Sequence, residues 1–266
     1  MPKKPHFIGV FTLLCLSIIS CSRYSETKSA DGYLDRLDAC LNNANTFDNK
    51  KHNRINALKS KLNSETDEPK KWQTYMELGN EYRAFRSDSS TYFYAQACQL
   101  AENANSESQI ADSRIFLAYA RSTSGLFTLA YNTLTRVDTA TLSLKQKLLY
   151  ATVSRQLYSY MDEYAKGLSD SEGHNEYRDK GLMYEQFLID NLDVDDPYRK
   201  FMYAQKLHRD GDNTSARKIA FGLLKELRED ENLYGMSAYL MAQIAMAEGN
   251  DSEYGKYLTV ASMSDV

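Results

Sequence analysis

The stretch that decides the fold is KFMYAQKLHRDGDNTSARKIAFGLLKEL, residues 200–227. Ala204 and Leu207 share one face of a first amphipathic helix, and Ala216, Ala220 and Leu223 line one face of a second. Gly211 and Asp212 form the turn between them, where glycine supplies the backbone freedom that a reversal needs. Small residues at these offsets let the two helices approach closely. A single hairpin of this kind cannot bury its own apolar face and requires neighbours of the same kind.

The chain supplies those neighbours. Ala118, Arg121, Gly125, Ala130 and Leu134 repeat the offsets of Ala204, Leu207, Gly211, Ala216 and Ala220. Ala238, Ala242, Ala245 and Gly249 repeat the first half again, followed by Tyr254, Leu258 and Ala261. Gly125 and Gly211 stand 86 residues apart, and Gly211 and Gly249 stand 38 apart. The larger gap predicts one diverged unit between them. Ser143 and Gln146 should cap its first helix, which carries Leu149, Val153 and Leu157. Its turn is expected to be expanded over the polar run from Gly167 to Gly173. Ser106 and Gln109 are expected to form another capping box, and Asp196-Pro197 should open the organising hairpin as cap and first helical residue. The fold expected is all-α, a right-handed α-solenoid of about five helical hairpins.

Upstream, Leu34, Leu37 and Leu41, then Ile55, Leu58 and Leu62, recur at helical spacing, with Asn42 to Asn45 loosening the middle. This N-terminal helical segment, 33–63, is expected to pack on the first hairpin. The repeat domain then covers 69–266, starting at Pro69 in a first helical turn. The Ser87-Asp88-Ser89-Ser90 cluster is expected to cap the partner helix. After Ala261 no polar terminal cap is legible, so Leu258 should stay partly exposed or the chain is a shortened relative of a longer array.

Composition fits a folded protein, with 42% apolar and 26% charged residues and 20 Tyr suited to half-buried helix faces. The net charge of −4 arises from interleaved basic and acidic residues, without the dense basic stripe that nucleic-acid binding requires. At the N-terminus, Lys3 and Lys4 precede an apolar run from Phe7 to Ser20 that is too short to span a bilayer comfortably. The sequence Ile18-Ile19-Ser20-Cys21 resembles the lipobox of a bacterial lipoprotein signal. That resemblance implies a signal peptide over 1–20, lipid attachment at Cys21 and a flexible tether over 21–32. It places the chain in the cell envelope, anchored to a membrane. An ordinary cleaved secretory signal is the alternative. Cys40 and Cys98 lie in helical, apolar surroundings and read as buried free thiols, with a disulfide, which an exported compartment permits, as the alternative.

Leu78-Gly79-x-x-Tyr82 resembles the first-helix core of a tetratricopeptide repeat, with Tyr75 where that motif usually has Trp. The whole mature chain resembles the N-terminal sensor region of a family of Bacteroidota regulators built from such repeats. The further residues that carry this are Lys51-x-x-Arg54-Ile55-x-x-Leu58-Lys59, Asp88-Ser89 with Tyr94-Ala95-x-Ala97, and Tyr177-Arg178. Longer members of that family continue into a membrane helix and often a DNA-binding domain. This chain has no second apolar run and no basic DNA-reading helix, and the lipobox implies a lipid anchor instead.

No catalytic or metal site is legible, and no cofactor is expected. His52, His174 and His208 fall in different units without ligands at metal spacing, while His6 falls in the signal. Asp210-Gly211-Asp212-Asn213 lacks the later glycine and glutamate of a calcium loop and reads as a repeat turn. Asp193, Asp195 and Asp196 read as helix capping before Pro197. The function expected is non-enzymatic: a membrane-anchored scaffold or sensor that receives a protein or peptide in the envelope. The alternative is an accessory lipoprotein of a nutrient (glycan) uptake system. In a tetratricopeptide-like array the first helix of each hairpin lines the concave face. The candidate partner-binding residues are therefore Glu77, Asn80, Glu81, Arg114, Arg121, Arg155, Lys200 and Gln205. Arg114 and Arg121, two turns apart, are expected to be exposed together on that face.

Overall fold

The computed structural model describes residues 31–83, 86–229 and 231–264. Cys21, with the signal and most of the tether, lies outside them. Among the described residues there are twelve helices and no strand. Two helices, α1 (Asp31–Asn42) and α2 (Ala44–Ser64), meet at Asn43. Five hairpins follow. They are α3 (Glu68–Tyr82) with α4 (Ser87–Asn103), α5 (Glu107–Thr123) with α6 (Phe127–Leu134), and α7 (Leu144–Gly167) with α8 (Ser171–Asn191). The last two are α9 (Pro197–Arg209) with α10 (Asn213–Glu226), and α11 (Asn232–Ala247) with α12 (Asp251–Met263).

The turns share one construction. Each of the first helices α5, α7, α9 and α11 ends on a residue with a left-handed backbone: Gly125, Ser169, Gly211 and Gly249, with φ of 76°, 59°, 90° and 71°. The next residue's N–H reaches back to the carbonyl five residues earlier. The pairs are Leu126 to Arg121, Asp170 to Ala165, Asp212 to Leu207 and Asn250 to Ala245, at 2.9–3.0 Å. This is the Schellman closure, which satisfies carbonyls that a helix end would leave orphaned. In three turns the same residue then caps the next helix: Asp170 accepts from Gly173, Asp212 from Ser215 and Asn250 from Glu253.

This construction corrects the expectation of an expanded turn in the third hairpin. α7 runs unbroken to Gly167 and α8 starts at Ser171. The Ser/Asp/Gly residues there serve as left-handed residue and cap rather than as loop. Two caps also differ from expectation. Ser106 stands at the N-cap of α5 but its side chain makes no capping hydrogen bond. α4 already starts at Ser87, with Arg86 as the capping residue. The capping box of Ser143 and Gln146 is present, and Asp196 accepts from the Tyr198 and Arg199 amides.

The core runs along the array as successive clusters, as nearest-neighbour stacking requires. Ile55 on α2 packs with Leu78, Tyr82 and Phe93, joined by Leu58 and Leu62. Met76, Tyr94, Ala97, Leu117 and Ala120 continue it. Ile115, Ala118, Ala130, Val153 and Leu157 form the next cluster, and Phe201, Met202, Ala204, Ala216, Ala220 and Leu240 the last. Gly79 is required where the Tyr94 ring lies on α3, because a Cβ there would sit 2.4 Å from a ring carbon.

The far end of the array is covered by the near end. α1 packs on α12, where the Lys256 ammonium stands 5.3 Å from the Tyr33 ring centroid. Arg36 reaches Glu229, before α11, at 2.8 Å. Leu258 is half-buried against the last cluster. The N-terminal segment thus covers part of the last hairpin.

The turn construction fixes the sign of two substitutions. Ser169→Gly removes a side chain from a left-handed backbone and is expected to raise stability by about 1 kcal/mol. Gly211→Ala is expected to lower it by about the same amount. Urea titrations of both variants check the pair; the same sign for both would contradict the shared geometry.

Candidate functional site

First helices touch at two of the hairpin junctions, α5 on α7 and α9 on α11, while among the described residues no two second helices make a comparable contact. At those two junctions the first helices lie on the inner side. The eight candidate side chains all sit on first helices, and each has an internal partner.

On α3, Glu77 pairs with Lys61 at 3.3 Å and Glu81 with Arg54 at 3.2 Å, both from α2. Asn80 is exposed, and its side-chain oxygen accepts from the Tyr94 hydroxyl at 2.8 Å. On α5, Arg114 donates to Glu102 and to the Arg136 carbonyl, each at 2.8 Å, with its side chain only 25% exposed. The Arg114 guanidinium holds the Glu102 carboxyl below the usual carboxylate range. Burial, then the neighbouring Glu102, pushes the Cys98 thiol up. Arg121 donates to Thr133 of α6, and burial lowers its pKa. These two arginines were expected to be exposed together; the structure wedges both between helices.

Further along, Arg155 joins three helices. It donates to Gln205 on α9 at 2.8 Å and lies 3.5 Å from Glu185 on α8, a buried carboxylate that also receives Arg209 at 2.5 Å. Two guanidiniums on one buried carboxylate satisfy a charge that would be costly alone. Arg155 and Gln205 are brought together; Glu77, Asn80 and Glu81 stand apart from them at the α2–α3 seam.

Lys200 pairs with Glu226 at 3.2 Å on the edge of a groove of about 560 Å³ between α9 and α10. Its floor is Leu207, Ile219 and Leu223, and its rim adds Arg199, Tyr203 and Lys218. Tyr203 and Lys218 were not singled out in the sequence. The available signal was the stripe Asp212, Ser215, Ile219, Leu223 and Glu226 along one face of α10.

His174 contacts Asp162 across the third hairpin, and His208 bonds Asn213 at 2.7 Å across the fourth turn. Among the described residues there is no group of three or more His, Cys, Asp or Glu able to hold a metal ion. No described helix is long and apolar enough to cross a membrane. Cys40 and Cys98 are both free thiols, Cys98 buried and Cys40 partly so.

Compared with known families, residues 41–266 match the SusR N-terminal TPR domain, from a Bacteroidota regulator family. No curated protein matches the chain.

The internal contacts of Arg114 change what its removal should do. Arg114→Ala leaves Glu102 and the Arg136 carbonyl without their donor. It is expected to cost about 0.5–1.5 kcal/mol, the net worth of hydrogen bonds that solvent partly screens, with the Glu102 side chain 46% exposed. Urea unfolding checks this; a change near zero would return Arg114 to the class of freely exposed residues.

Proposed function

Because the chain belongs to the SusR N-terminal TPR domain family, we propose that it is a non-enzymatic scaffold or sensor module that binds a protein or peptide partner in the cell envelope. The family match is the observation that carries this reading. Tetratricopeptide-type arrays of helical hairpins generally mediate protein interactions, through a curved face whose side chains are held by the repeats. Here the inner helices present polar groups fixed by internal bonds, such as Arg155 on Gln205 and Lys200 on Glu226. Side chains already ordered lose less entropy when a partner docks. The groove beside Lys200 offers an apolar floor with a charged rim, the composition of a segment-binding surface.

We further propose that Cys21 carries a lipid that anchors the module to a membrane, on the strength of the lipobox resemblance. Two acyl chains or more make such an anchor stable where one would be marginal.

Photo-crosslinkers placed in cells at Asn80 and Lys200 on first helices, and at Gln186 on a second helix, test the binding face. Adducts with a discrete envelope protein are expected from the first two positions and not from Gln186. Equal adducts from all three would reject an inner-face mode. Metabolic labelling with a radioactive fatty acid tests the anchor: label on the wild type and none on Cys21→Ala is expected. Undiminished label on the variant would remove Cys21 from the proposal.

A further inference from the structure

The four junctions between hairpins are not packed alike. At the first and last, a second helix lies along the next first helix, α4 on α5 and α10 on α11, and at the second both α5 and α6 meet α7. At the third, α8 meets α9 less extensively, and α7 makes no comparable contact with α9. The core is interrupted there. Among the described residues, α8 gives the last cluster Ile189 alone and α7 gives it nothing. In turn α9 gives nothing to the cluster of Val153 and Leu157.

Charge takes the place of apolar burial at this junction. Glu185 of α8 is 4% exposed and lies between two guanidiniums, that of Arg209 on α9 at 2.5 Å and that of Arg155 on α7 at 3.5 Å. Arg155 also donates to Gln205 of α9 at 2.8 Å. Tyr198 of α9 shares side-chain hydrogen bonds with Arg155 and Thr152 of α7. Arg199 Nε of α9 donates to the Ile189 carbonyl at 2.7 Å.

The two kinds of contact respond differently to movement. Apolar contacts are non-directional and survive a small rotation of one unit on the next. Charge-assisted hydrogen bonds hold one geometry and weaken steeply when it is left. In a solenoid each interface contributes separately, so the interface with the least apolar contact opens before the others. The connection here, residues 192–196, belongs to no helix and can absorb a change of angle. Elsewhere the two halves of the array meet where α1 packs on α12, and the Arg36–Glu229 pair there is exposed. α1 joins α2 at Asn43, whose side chain does not cap α2.

We propose that the third junction is a hinge and that Glu185 is its clasp. While the carboxylate holds Arg155 and Arg209, the halves 44–191 and 197–263 keep one angle; without it they turn about residues 192–196. The spacing of the first helices α7 and α9 then follows the state of one buried carboxylate. The hinge requires no partner and stands apart from the binding role proposed for the inner face.

Pulsed electron–electron resonance on the purified full chain tests it, with spin labels attached through ketone-bearing residues so that the thiols stay native. Labels at Lys145 and Thr214 span the junction, and labels at Lys145 and Glu172 stay within the third hairpin; all three positions are exposed. The wild type is expected to give one narrow distance for each pair. In Glu185→Gln two guanidiniums face each other with no carboxylate between them, and removing one partner of a buried pair shifts an equilibrium by about a hundredfold. The Lys145–Thr214 distance should then gain a second, broader population while the Lys145–Glu172 distance stays narrow. Arg209→Ala, at the more exposed end of the clasp, should give the same change to a smaller degree, and it decides the matter if Glu185→Gln folds poorly. A Lys145–Thr214 distance as narrow in the variants as in the wild type would overturn the hinge. A wild-type distribution that is already broad would overturn the clasp. Equal broadening of the Lys145–Glu172 distance would also reject the hinge, since the hairpin itself would then have loosened.

Discussion

The architecture depends on how closely helix backbones can approach. Ala97, Ala101, Ala118, Ala130, Ala204 and Ala216 each have no accessible surface. They lie on the seams where one helix of a hairpin meets the other or the next unit. Alanine at a contact lets two axes come near the lower end of the usual interaxial range, and larger residues on the facing helix then fill the space beside it. Tyr94 over Gly79 is the extreme case, an aromatic ring laid directly on a helix backbone. Any enlargement on such a seam must push a whole helix, because close-packed interiors relax only partly, and overpacking typically costs about 1–3 kcal/mol. The repeat is legible as a repeat because its small residues are the ones least free to change size.

That constraint explains how far sequence reasoning reached. The offsets shared by Ala118, Gly125 and Ala130 with Ala204, Gly211 and Ala216 are backbone requirements, and the structure honours each. The third hairpin was harder to read because Ser169 takes the left-handed position that glycine holds in its neighbours. A polar run containing Ser, Asp and Gly has the composition of a loop and of a tight capped turn alike, and only the Schellman bonds distinguish them. The motifs behind the family resemblance have structural roles of their own. Ile55 and Leu58 pack α2 on the first hairpin, Lys59 lies over the Tyr82 ring, and Tyr177 stacks on Tyr158.

Side-chain roles on the inner face were less legible, for a different reason. Helical spacing places Arg114 and Arg121 on one helix, but whether they are free depends on Glu102, Thr133 and the Arg136 carbonyl. Arg155 meets Gln205, 50 residues away. Such pairings are set by how hairpins stack and leave no periodic trace in a single sequence.

The same stacking logic accounts for a cavity that Tyr131, Tyr150, Tyr158 and Tyr184 line where α6 ends against α7 and α8. α6 has eight residues, the shortest of the described helices, whereas α7 and α8 behind it have 24 and 21. A second helix that stops early leaves the middle of the next hairpin uncovered on one side. In a solenoid each unit is covered only by its neighbours, and no other described helix packs on α6 besides α5 and α7. The tyrosines there reconcile two demands: their rings keep the helices packed, and their hydroxyls tolerate the water that reaches them. At the opposite extreme α1 spans back to α12 and covers surface that the end of an array would otherwise expose. Its Arg36–Glu229 pair is well exposed on both sides and contributes little by itself. Closure of the array therefore rests on the weak helix contact between α1 and α12, while the cavity rests on the strong one between α7 and α8.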